Sequence, residues 1–560
     1  MTIQFDEEKQ DKKIDDLRKK EEEDFIQIAA TKQNAQYVDL SQTPIETDSL
    51  RLIGEHVARE AGLAAFRLVD KKVHVAVSDS PNEKTNTVFK DLETRGYIII
   101  PYLASHESLR RAWDKYKELS YAFETKAGSL DISNEEITDF LKKVHTIEDV
   151  KALIVGVLEQ NKSYKITRIV EIILAGALSI NASDIHIEPE EKYVRLRYRL
   201  DGVLNDVLQF DSDTFKLVLS RIKLLSGLKI NVKSDAQDGR FSVKINESDI
   251  EIRTSILPGA YSESIVLRVL NPKSIGIPLE ELGINPKLLK LIEHEIEKPN
   301  GMILTTGPTG SGKTTTLYAF LKKVHNSEIK IITIENPIEY HLPGIVQTQT
   351  DTEKGYTFLQ GLRSALRQDP DVIMVGEIRD NETAEIAINA ALTGHLVFST
   401  LHTNNAAGSF PRLVDLGVNA KIITSALNIA MAQRLIRKLC VECKKEVPLE
   451  GETKDIIVRI MSTVKDPLDR IEAKTMWEPV GCVKCNFTGF KGRIGLYEAI
   501  LTDENIEKIV KDNPSERELK KAAIDQGILT LKQDGIIKTL KGITSLTELK
   551  RVVDLEEIEG

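Results

Sequence analysis

The sequence predicts a multidomain α/β protein with a nucleotide-binding core, and three observations support this fold class. The chain has 560 residues, enough for three or four domains of about 150 residues each. Between residues 290 and 435, short apolar runs typical of strands alternate with helical patterns, as in a doubly wound sheet. The same region contains GPTGSGKT (307–314), which has the spacing of a phosphate-binding loop.

Composition and charge limit where the chain works and what it binds. The net charge of −10 disfavours broad nucleic-acid binding. No apolar run approaches the roughly 18–20 residues of a membrane span. The charged N-terminus, MTIQFDEEKQDKK, lacks the apolar core of a signal peptide. We therefore expect a cytoplasmic chain without a transmembrane segment or direct nucleic-acid contact, associated with membranes only through partners.

Changes in composition and periodicity divide the chain into seven segments. Strand-like alternation in SDIHIEPEEKYVRLRYRLDGVL (183–204) indicates a second sheet before the core. Pro272, Pro278 and Pro286 mark the boundary between this sheet and the core. The predicted order is a charged lead-in helix or disordered segment (1–35), a small α/β domain (36–120), a linker (121–150), a second α/β domain (151–272), the nucleotide-binding core (285–436), a tetracysteine module (437–490) and a C-terminal helical region (491–560).

The phosphate-binding loop has the flanking elements that its function requires. An apolar strand pattern, GMILTT (301–306), precedes it, and a helical pattern follows it. Glycines at 307 and 312 let the backbone approach a triphosphate, Lys313 supplies a charge for the β- and γ-phosphates, and Thr314 supplies a hydroxyl for Mg²⁺. The predicted ATP-binding residues are Gly307, Pro308, Thr309, Gly310, Ser311, Gly312, Lys313, Thr314 and Thr315.

Polar side chains follow three of the predicted core strands. KIITI (330–334) ends before Glu335, DVIMVG (371–376) before Glu377, and HLVFSTL (395–401) before His402. Parallel α/β sheets bind ligands at the carboxyl ends of their strands. Phosphoanhydride hydrolysis needs a positioned water and Mg²⁺. We predict that one glutamate orients or deprotonates the water and the other holds the Mg²⁺ shell, with Thr314 and Glu377 as candidate magnesium ligands and His402 near the γ-phosphate.

All four cysteines lie in two CxxC pairs, which predicts a structural metal site. The pairs are Cys440/Cys443 and Cys482/Cys485. Four thiolates in this pattern suit tetrahedral Zn²⁺, and a reducing cytosol disfavours disulfides. An empty or degenerate site is the alternative. The basic residues near the first pair predict a rim for an acidic partner, or else a solvated surface; they are Arg434, Arg437, Lys438, Lys444 and Lys445.

Three longer motifs carry a family resemblance that covers roughly residues 36–550. LRSALRQDPDVIMVGEIRDNET (362–383) resembles the signature of the type II/type IV secretion-system ATPases. TIENPIEY (333–340) is similar to the Asp box of that family and includes Glu339, whereas Asn336 stands where the family usually has Asp. TGHLVFSTLHTNNA (393–406) is similar to its His box, with His395 and His402 in place.

The resemblance implies the roles of several further residues and domains. It implies a RecA-like ATPase core and a PAS-like second N-terminal domain whose arginines, Arg240, Arg253 and Arg268, approach the nucleotide phosphates as catalytic residues. Arg363 and Arg367 would work at the active site or across a subunit boundary. It also implies a homohexameric ring at the cytoplasmic face of the inner membrane, with residues 36–120 docking on its membrane machinery and an inner-membrane platform protein as partner.

The predicted function is a Mg²⁺-dependent ATP hydrolase that drives type IV pilus assembly, and the alternative is a type II secretion ATPase. The tetracysteine insertion is similar to the metal module of assembly and secretion motors, which retraction motors of the superfamily typically lack. Two other classes compete: a zinc-containing nucleic-acid motor and a nucleotide-gated scaffold with negligible hydrolysis. Some relatives bind cyclic di-GMP through an N-terminal motif rich in Arg, Leu and Gly. Residues 1–60 contain no such motif, so we expect no such binding.

Overall fold

A computed structural model describes most of the chain, and the described residues form two compact units. The described residues are 21–33, 35–50, 52–69, 71–78, 83–118, 122–123, 129–132, 140, 143–159, 165–245, 248–270, 276–472, 474–512 and 514–556. The first unit takes its residues from 1–137, 152–173 and 213–222, and the second from the rest. Residues 1–20 of the predicted lead-in and several stretches of the predicted linker (121–150) lie outside the described residues.

The first unit has the small α/β architecture that the sequence predicts. Residues 21–32 are helical. A four-stranded sheet of order β1-β4-β3-β2 follows, with β2 and β3 antiparallel and the other pairs parallel. Leu63, Val75 and Leu109 are fully buried in its core. The elements are β1 (Gln36–Tyr37), α1 (Thr47–Leu50), α2 (Glu55–Ala61), β2 (Leu63–Val69), β3 (Lys72–Val77), α3 (Glu83–Thr94), β4 (Ile98–Leu103), α4 (His106–Asp114) and the strands β5 (Ala122–Phe123) and β6 (Ser129–Ile132).

The second unit begins with a sheet in which six strands run antiparallel in the order β10-β11-β12-β7-β8-β9. Alternate residues of β8 are buried, as expected for a strand with one face on the core. The strands are β7 (Asp184–Pro189), β8 (Val194–Leu200), β9 (Val203–Phe210), β10 (Gln237–Ile245), β11 (Ser248–Pro258) and β12 (Glu263–Leu270). Three further helices have residues in each of the two units: α5 (Ile147–Leu158), α6 (Lys165–Ser179) and α7 (Ser212–Leu225).

A seven-stranded sheet of order β15-β14-β16-β17-β13-β18-β21 forms the nucleotide-binding core of the second unit. All neighbouring pairs are parallel except β18 and β21. Met302 and Leu304 belong to one buried cluster and Ile303 to another, so apolar side chains cover both faces. The strands are β13 (Gly301–Thr306), β14 (Ile331–Glu335), β15 (Val346–Gln349), β16 (Val372–Val375), β17 (Leu396–Leu401), β18 (Leu427–Leu439) and β21 (Phe490–Leu501).

The remaining elements of the second unit are mostly helices, and a short hairpin stands between β18 and β21. This hairpin consists of β19 (Lys445–Pro448) and β20 (Thr475–Glu478). The helices are α8 (Pro286–Ile296), α9 (Lys313–Val324), α10 (Phe358–Leu366), α11 (Asn381–Leu392), α12 (Ser409–Asp415), α13 (Ala420–Ala426), α14 (Gly451–Ser462), α15 (Glu504–Asp512), α16 (Glu516–Ala523), α17 (Leu531–Leu540) and α18 (Leu546–Val552). Across the described ranges, no helix is both long and apolar enough to cross a bilayer.

The sheet extends further along the chain than the sequence pattern predicts. LNIAMAQRLIRKL in β18 is rich in residues that favour helices, yet it lies extended between β13 and β21. The predicted helical region from residue 491 therefore begins with a strand, β21, which pairs along most of β18. Ile536 and Leu549 from the C-terminal helices pack in the same cluster as Met302. Tertiary pairing thus overrides local propensity at the edge of this sheet.

Candidate active site

The phosphate-binding loop connects β13 to α9, and its backbone admits only glycine at two positions. Gly312 caps α9 with a φ of 90°, and Gly307 has a φ of 143°. A Cβ on Gly307 would lie 2.5 Å from the carbonyl oxygen of Gln433, and one on Gly312 would lie 2.9 Å from its Nε2. The loop therefore packs against β18 so closely that no side chain fits at either position.

Lys313, the first residue of α9, lies folded over this loop. Its Nζ donates to the carbonyl oxygens of Gly307, at 2.8 Å, and Pro308, at 3.2 Å. Burial lowers the pKa of the Lys313 ammonium, and the charge of Glu377 opposes that shift. Gln433 donates from Nε2 to the carbonyl oxygen of Ser311 at 2.7 Å, which braces the loop from β18. A cation and a cradle of loop amides suit a bound triphosphate.

Three strands of the core deliver polar side chains to the same edge of the sheet as the loop. Glu335 ends β14, Glu377 follows β16 by two residues, and His402 follows β17 directly. These strands and β13 are parallel neighbours, so their carboxyl ends meet. The loop and the three side chains line one cavity of about 1100 Å³, which has room for a nucleotide. The structure thus brings these sequence-predicted residues together.

Glu335 is held by neutral donors and is only 3% exposed. Its Oε1 accepts from Thr333 Oγ1 at 2.6 Å and from Gln347 Nε2 at 3.1 Å, and its Oε2 accepts from the hydroxyl of Tyr318. Tyr318 lies on α9, and burial raises the pKa of its phenol. The carboxylate is therefore oriented by three side chains and tied to the helix that carries the loop. Such an arrangement suits a residue that must point at a water.

Glu377 has a different, cationic environment. Arg379 contacts its Oε1 at 2.5 Å, and His402 Nε2 lies 3.3 Å from its Oε2. The charges of Glu377 and Lys313 also interact. The side chain is 13% exposed and lines the cavity. A carboxylate beside the loop lysine, and on the same cavity as the Thr314 hydroxyl, suits the coordination shell of Mg²⁺.

The predicted arginines of the second domain form part of a row of charged residues across five strands. Arg240 pairs with Arg253 across β10 and β11, and Arg253 pairs with Arg268 across β11 and β12. The row continues through Asp184 on β7 to Arg199 on β8. Directly opposite like charges repel, so each needs an acidic partner. Asp184 serves two of them, at 3.1 Å from Arg268 and 3.2 Å from Arg199.

The arginines of this row line two different cavities. Arg268 and Arg199 line the cavity that contains the phosphate-binding loop. Arg253 and Arg240 line a neighbouring cavity of about 1340 Å³. Arg240 is 76% exposed, and its contact with Glu251 is 3.9 Å long. Of the three arginines predicted to be catalytic, the structure brings only Arg268 to the loop cavity.

Arg253 connects the six-stranded sheet to the Asp box of the core. Its Nη1 donates to Glu339 at 3.1 Å, and its Nη2 donates to the carbonyl oxygen of Ile338 at 2.8 Å. Both side chains are partly buried, and the bonds between them are charge-assisted. Glu339, predicted from the motif alone, is thus placed as the anchor of this contact.

Removing the Arg253 side chain should loosen the segment 336–343 without unfolding either sheet. Losing two charge-assisted hydrogen bonds costs about 1.5–3 kcal/mol, which corresponds to about tenfold or greater acceleration of local opening. We expect Arg253→Ala to speed amide hydrogen exchange in this segment by that factor. Arg240→Ala is the matched control on the same sheet and should leave the exchange unchanged. Equal protection in both variants would show that Arg253 does not hold the segment.

Three other motif residues lie away from the cavity within this chain. Arg363 on α10 and Arg367, which caps the C-terminal end of that helix, are exposed and do not line the cavity. Arg367 donates to the carbonyl oxygen of Arg363 at 3.0 Å and to Ser364 Oγ at 3.1 Å. His395 precedes β17, at the opposite end from His402, and its Nδ1 lies 3.0 Å from the carbonyl oxygen of Ala390.

Residues that the sequence did not assign to the site also line the loop cavity. Arg434 on β18 is half-buried there and donates from Nη2 to the carbonyl oxygen of Asn404 at 2.6 Å. Arg493 on β21 and Arg551 on α18 line it as well. The signal that could have found them is the strand character of β18 and β21, because paired strands bring Arg434 and Arg493 from distant parts of the chain to one sheet.

The predicted basic rim beside the first CxxC pair is therefore wrong for three of its five members. Arg434 belongs to the loop cavity, as above. Arg437 forms an ion pair with buried Glu548 at 2.6 Å. Lys444 donates to the carbonyl oxygen of Gly542 at 2.8 Å. Lys438 and Lys445 remain exposed. Three of the five basic side chains therefore make contacts inside the fold rather than forming a basic surface.

The four cysteines converge between the ends of β18 and β21. Their sulfur atoms lie within 4.8 Å of one another. Three of the separations are 3.9, 3.9 and 3.8 Å, and tetrahedral Zn²⁺ with Zn–S bonds of about 2.3 Å would require roughly 3.8 Å. Backbone amides of Gly481 and Cys482 donate to Cys443 Sγ and Cys485 Sγ at 3.3 and 3.1 Å. The donor set and its spacing fit one zinc ion.

The position of the phosphate-binding loop in a largely parallel sheet makes the second unit a P-loop nucleoside triphosphatase. The family model described as "Type II/IV secretion system protein" matches residues 159–551, and the chain belongs to that family. A second model, the MshEN domain, matches residues 34–121. The protein is accordingly a mixed α/β, multidomain ATPase of the secretion and pilus family, as its motifs predict, and it has an N-terminal MshEN domain.

Named relatives support this assignment over most of the chain. The type II secretion system protein E of Klebsiella pneumoniae is 39% identical over 466 residues, 83% of this chain and 90% of its own length. The type IV pilus assembly ATPase PilB of Myxococcus xanthus is 35% identical over 518 residues, 91% of this chain and 88% of its own. A solved structure of the Yersinia pseudotuberculosis ATPase DotB shares the fold with a TM-score of 0.51 at 19% identity, covering 70% of this chain and 94% of its own.

Proposed function

We propose that this chain is a homohexameric motor that uses ATP hydrolysis to drive type IV pilus assembly, by polymerising pilin through an inner-membrane platform protein. One observation carries the proposal: the loop cavity lies between two sheets. The core contributes Lys313, Glu335 and Glu377, and the six-stranded sheet contributes Arg268. A site shared in this way responds to any movement between the sheets. Hydrolysis can therefore be coupled to domain motion.

Each part of the cavity would take one task in hydrolysis. Gly307 to Thr315 would bind the triphosphate, with Lys313 at the β- and γ-phosphates. Thr314 and Glu377 would hold Mg²⁺, whose chemistry is to neutralise charge on the phosphate oxygens. Glu335, oriented by its three donors, would position the attacking water. His402 would report the state of the γ-phosphate to Glu377, at 3.3 Å.

The arginines that do not reach the cavity suit a role between subunits. Arg363 on α10 and Arg367 at its C-terminal cap are exposed. A planar, permanently charged guanidinium supplied by a neighbouring copy would complete a site at a subunit boundary. Arg268 would approach the phosphates from its own chain, and Arg253 would transmit the movement through Glu339. The catalytic role predicted for Arg240 would then require that the second domain moves.

Type II secretion is the second candidate function, and a specific observation favours it. The secretion relatives show higher identity, 39% against 35%, whereas the pilus relative covers more of the chain, 91% against 83%. Deleting the gene in its source organism and counting surface pili and secreted proteins separates the two. Complementation with the natural gene should restore pili. If deletion leaves the pili unaffected but abolishes secretion, and the natural gene restores secretion, the chain is a secretion ATPase instead.

The proposed domain limits follow from the same function. Residues 36–120 would dock on the membrane machinery, 151–272 would form the PAS-like domain, and 285–436 would form the RecA-like core. The tetracysteine module (437–490) and the C-terminal segment (491–560) would follow the core. The chain would act at the cytoplasmic face of the inner membrane through these contacts. Although a MshEN model matches residues 34–121, the absence of the Arg-, Leu- and Gly-rich motif leads us to propose that it does not bind cyclic di-GMP.

The tetracysteine cluster would hold a structural zinc ion, and removing a ligand should release it. We expect full-length protein purified without chelators to contain about one zinc per chain by elemental analysis. Cys443→Ser should lose most of the metal and lower the melting temperature, because metal binding contributes directly to folding of such modules. Glu442→Gln, inside the same CxxC pair and exposed, is the matched control and should retain zinc. If the natural chain contains no metal, and adding zinc does not raise its melting temperature, the zinc assignment is refuted.

A further inference from the structure

A second, smaller cavity lies among the C-terminal elements of the second unit. Its volume is about 260 Å³, and no residue of the phosphate-binding loop lines it. The lining comes from α14, β21, α16 and the start of α17, together with Ala406 and Ala407 from the segment after β17. Ile460, Ile500 and Leu529 contribute apolar surface to its walls. None of the roles discussed above uses this cavity.

The charges around this cavity are strongly one-sided. Its lining includes six basic side chains, Arg459, Lys465, Arg517, Lys520, Lys521 and Lys532. Glu498 is the one acidic residue in the lining. Both of its carboxylate oxygens accept backbone amides, from Ala406 at 2.9 Å and Leu531 at 3.1 Å. This carboxylate therefore maintains the local fold, and the lining as a whole is cationic.

Ion pairs that Lys465 and Lys520 make with acidic residues just outside the lining are exposed to solvent. Lys465 contacts Asp525 at 2.7 Å, with the two side chains 49% and 73% exposed. Lys520 contacts Glu516 at 2.9 Å, with exposures of 35% and 47%. Solvent-exposed ion pairs contribute little free energy, so a ligand anion can compete for these cations.

Apolar walls inside a cationic lining fit a ligand with both characters. We propose that this cavity binds a small amphipathic anion, a short aliphatic chain that carries a single carboxylate. The chain would occupy the apolar walls, and the carboxylate would meet the basic side chains. A cavity of about 150 Å³ holds a benzene molecule, so the larger volume here would accommodate a chain of about eight carbons.

The segment after β17 connects this cavity to the candidate active site. The amide of Thr403 donates to Thr306 Oγ1 at 2.8 Å, beside the phosphate-binding loop. The carbonyl oxygen of Asn404 accepts from Arg434 at 2.6 Å, and the amide of Ala406 donates to Glu498 in the second cavity. Within the four-residue span 403–406, Thr403 and Asn404 thus make contacts on the side of the phosphate-binding loop, and Ala406 makes one in the second cavity. Occupancy of the second cavity should therefore change the rate of ATP turnover.

Octanoate is the probe that tests this proposal, with octyltrimethylammonium as a probe of equal chain length and opposite charge. Calorimetric titration of the full chain without nucleotide measures binding independently of the ATPase activity. We expect saturable binding of about one octanoate per chain and much weaker binding of the cation. Arg517→Glu with Lys521→Glu, both exposed, should weaken octanoate binding at least about tenfold. Lys508→Glu, exposed on α15 outside the cavity, is the matched control and should bind octanoate like the natural chain.

A second variant tests the apolar half of the site. Ala523→Leu adds volume at the cavity wall and should also weaken octanoate binding. Absence of saturable binding, or affinity that survives both the charge reversal and Ala523→Leu, would overturn the proposal. Steady-state phosphate release with and without octanoate then tests the connection. Binding with an unchanged turnover rate would refute the coupling through the segment after β17.

Discussion

Lys313→Ala should abolish most ATP turnover while leaving the fold intact. Lys313 is the cation of the loop, and its Nζ contacts two loop carbonyl oxygens. From this position we expect it to contact the β- and γ-phosphates of bound ATP. Removing one preorganised charge from a phosphoryl-transfer site costs about 10²–10³ in the rate of the chemical step. We expect steady-state phosphate release by the purified protein to fall by at least about a hundredfold.

The fold should tolerate this change because the lysine makes no contact that the core depends on. Its Nζ contacts backbone oxygens of the loop, and burial lowers the pKa of its ammonium, so its charge is partly desolvated in the folded protein. The far-ultraviolet spectrum and melting temperature should therefore match the natural chain. Lys421→Ala, exposed on α13, is the matched control and should hydrolyse ATP normally. Turnover of Lys313→Ala within about threefold of the natural rate would exclude a motor that depends on this site.

The parts of the site that lie close together in sequence were predictable from it. The loop is a local motif, and its strand and helix follow from apolar runs on either side. Glu335, Glu377 and His402 could be grouped because parallel strands share one edge for their carboxyl ends. No register was needed for that inference. The direction of the strands sufficed.

The positions of the arginines could not be predicted from the sequence. Whether Arg240, Arg253 and Arg268 line up depends on the register of three antiparallel strands, and a shift by one residue would turn each to the other face. Arg434 was grouped with the first CxxC pair because it stands six residues before Cys440. In an extended strand that separation is about 20 Å, so the two residues serve different sites. A helix, which the composition of β18 favours, would have kept them within about 9 Å.

The Asp box connects the candidate active site to the six-stranded sheet over a short segment of chain. Its first glutamate, Glu335, is bonded to Tyr318 on the loop helix. Its second, Glu339, is bonded to Arg253 of the six-stranded sheet. Only three residues thus separate the water-positioning candidate, Glu335, from Glu339, the anchor of the second domain. Under the proposed mechanism, a change at the γ-phosphate would move the Glu335–Tyr318 and Glu339–Arg253 contacts together through this short segment.

The two glutamates of the cavity should give different kinetic signatures when each is replaced. Glu335→Gln keeps the size of the side chain but replaces one acceptor oxygen with a donor, and it removes the charge that we propose orients or deprotonates the water. We expect kcat to fall about 10²–10³-fold with ATP affinity nearly unchanged, since the loop is untouched. Glu377→Gln should instead raise the Mg²⁺ concentration needed for half-maximal turnover, because an amide is a weaker ligand for a hard cation.

Tyr318→Phe and Glu385→Gln complete this test. Tyr318→Phe removes one donor from Glu335 but leaves its charge, so kcat should fall only about tenfold. Glu385→Gln, exposed on α11, should have no effect on either quantity. Phosphate release measured across ATP and Mg²⁺ titrations separates the cases. If Glu335→Gln shifts the Mg²⁺ requirement and Glu377→Gln lowers kcat alone, the two roles are reversed. If neither variant changes turnover by more than about threefold, hydrolysis does not occur between these strand ends, and the three donors around Glu335 serve only to stabilise a buried carboxylate.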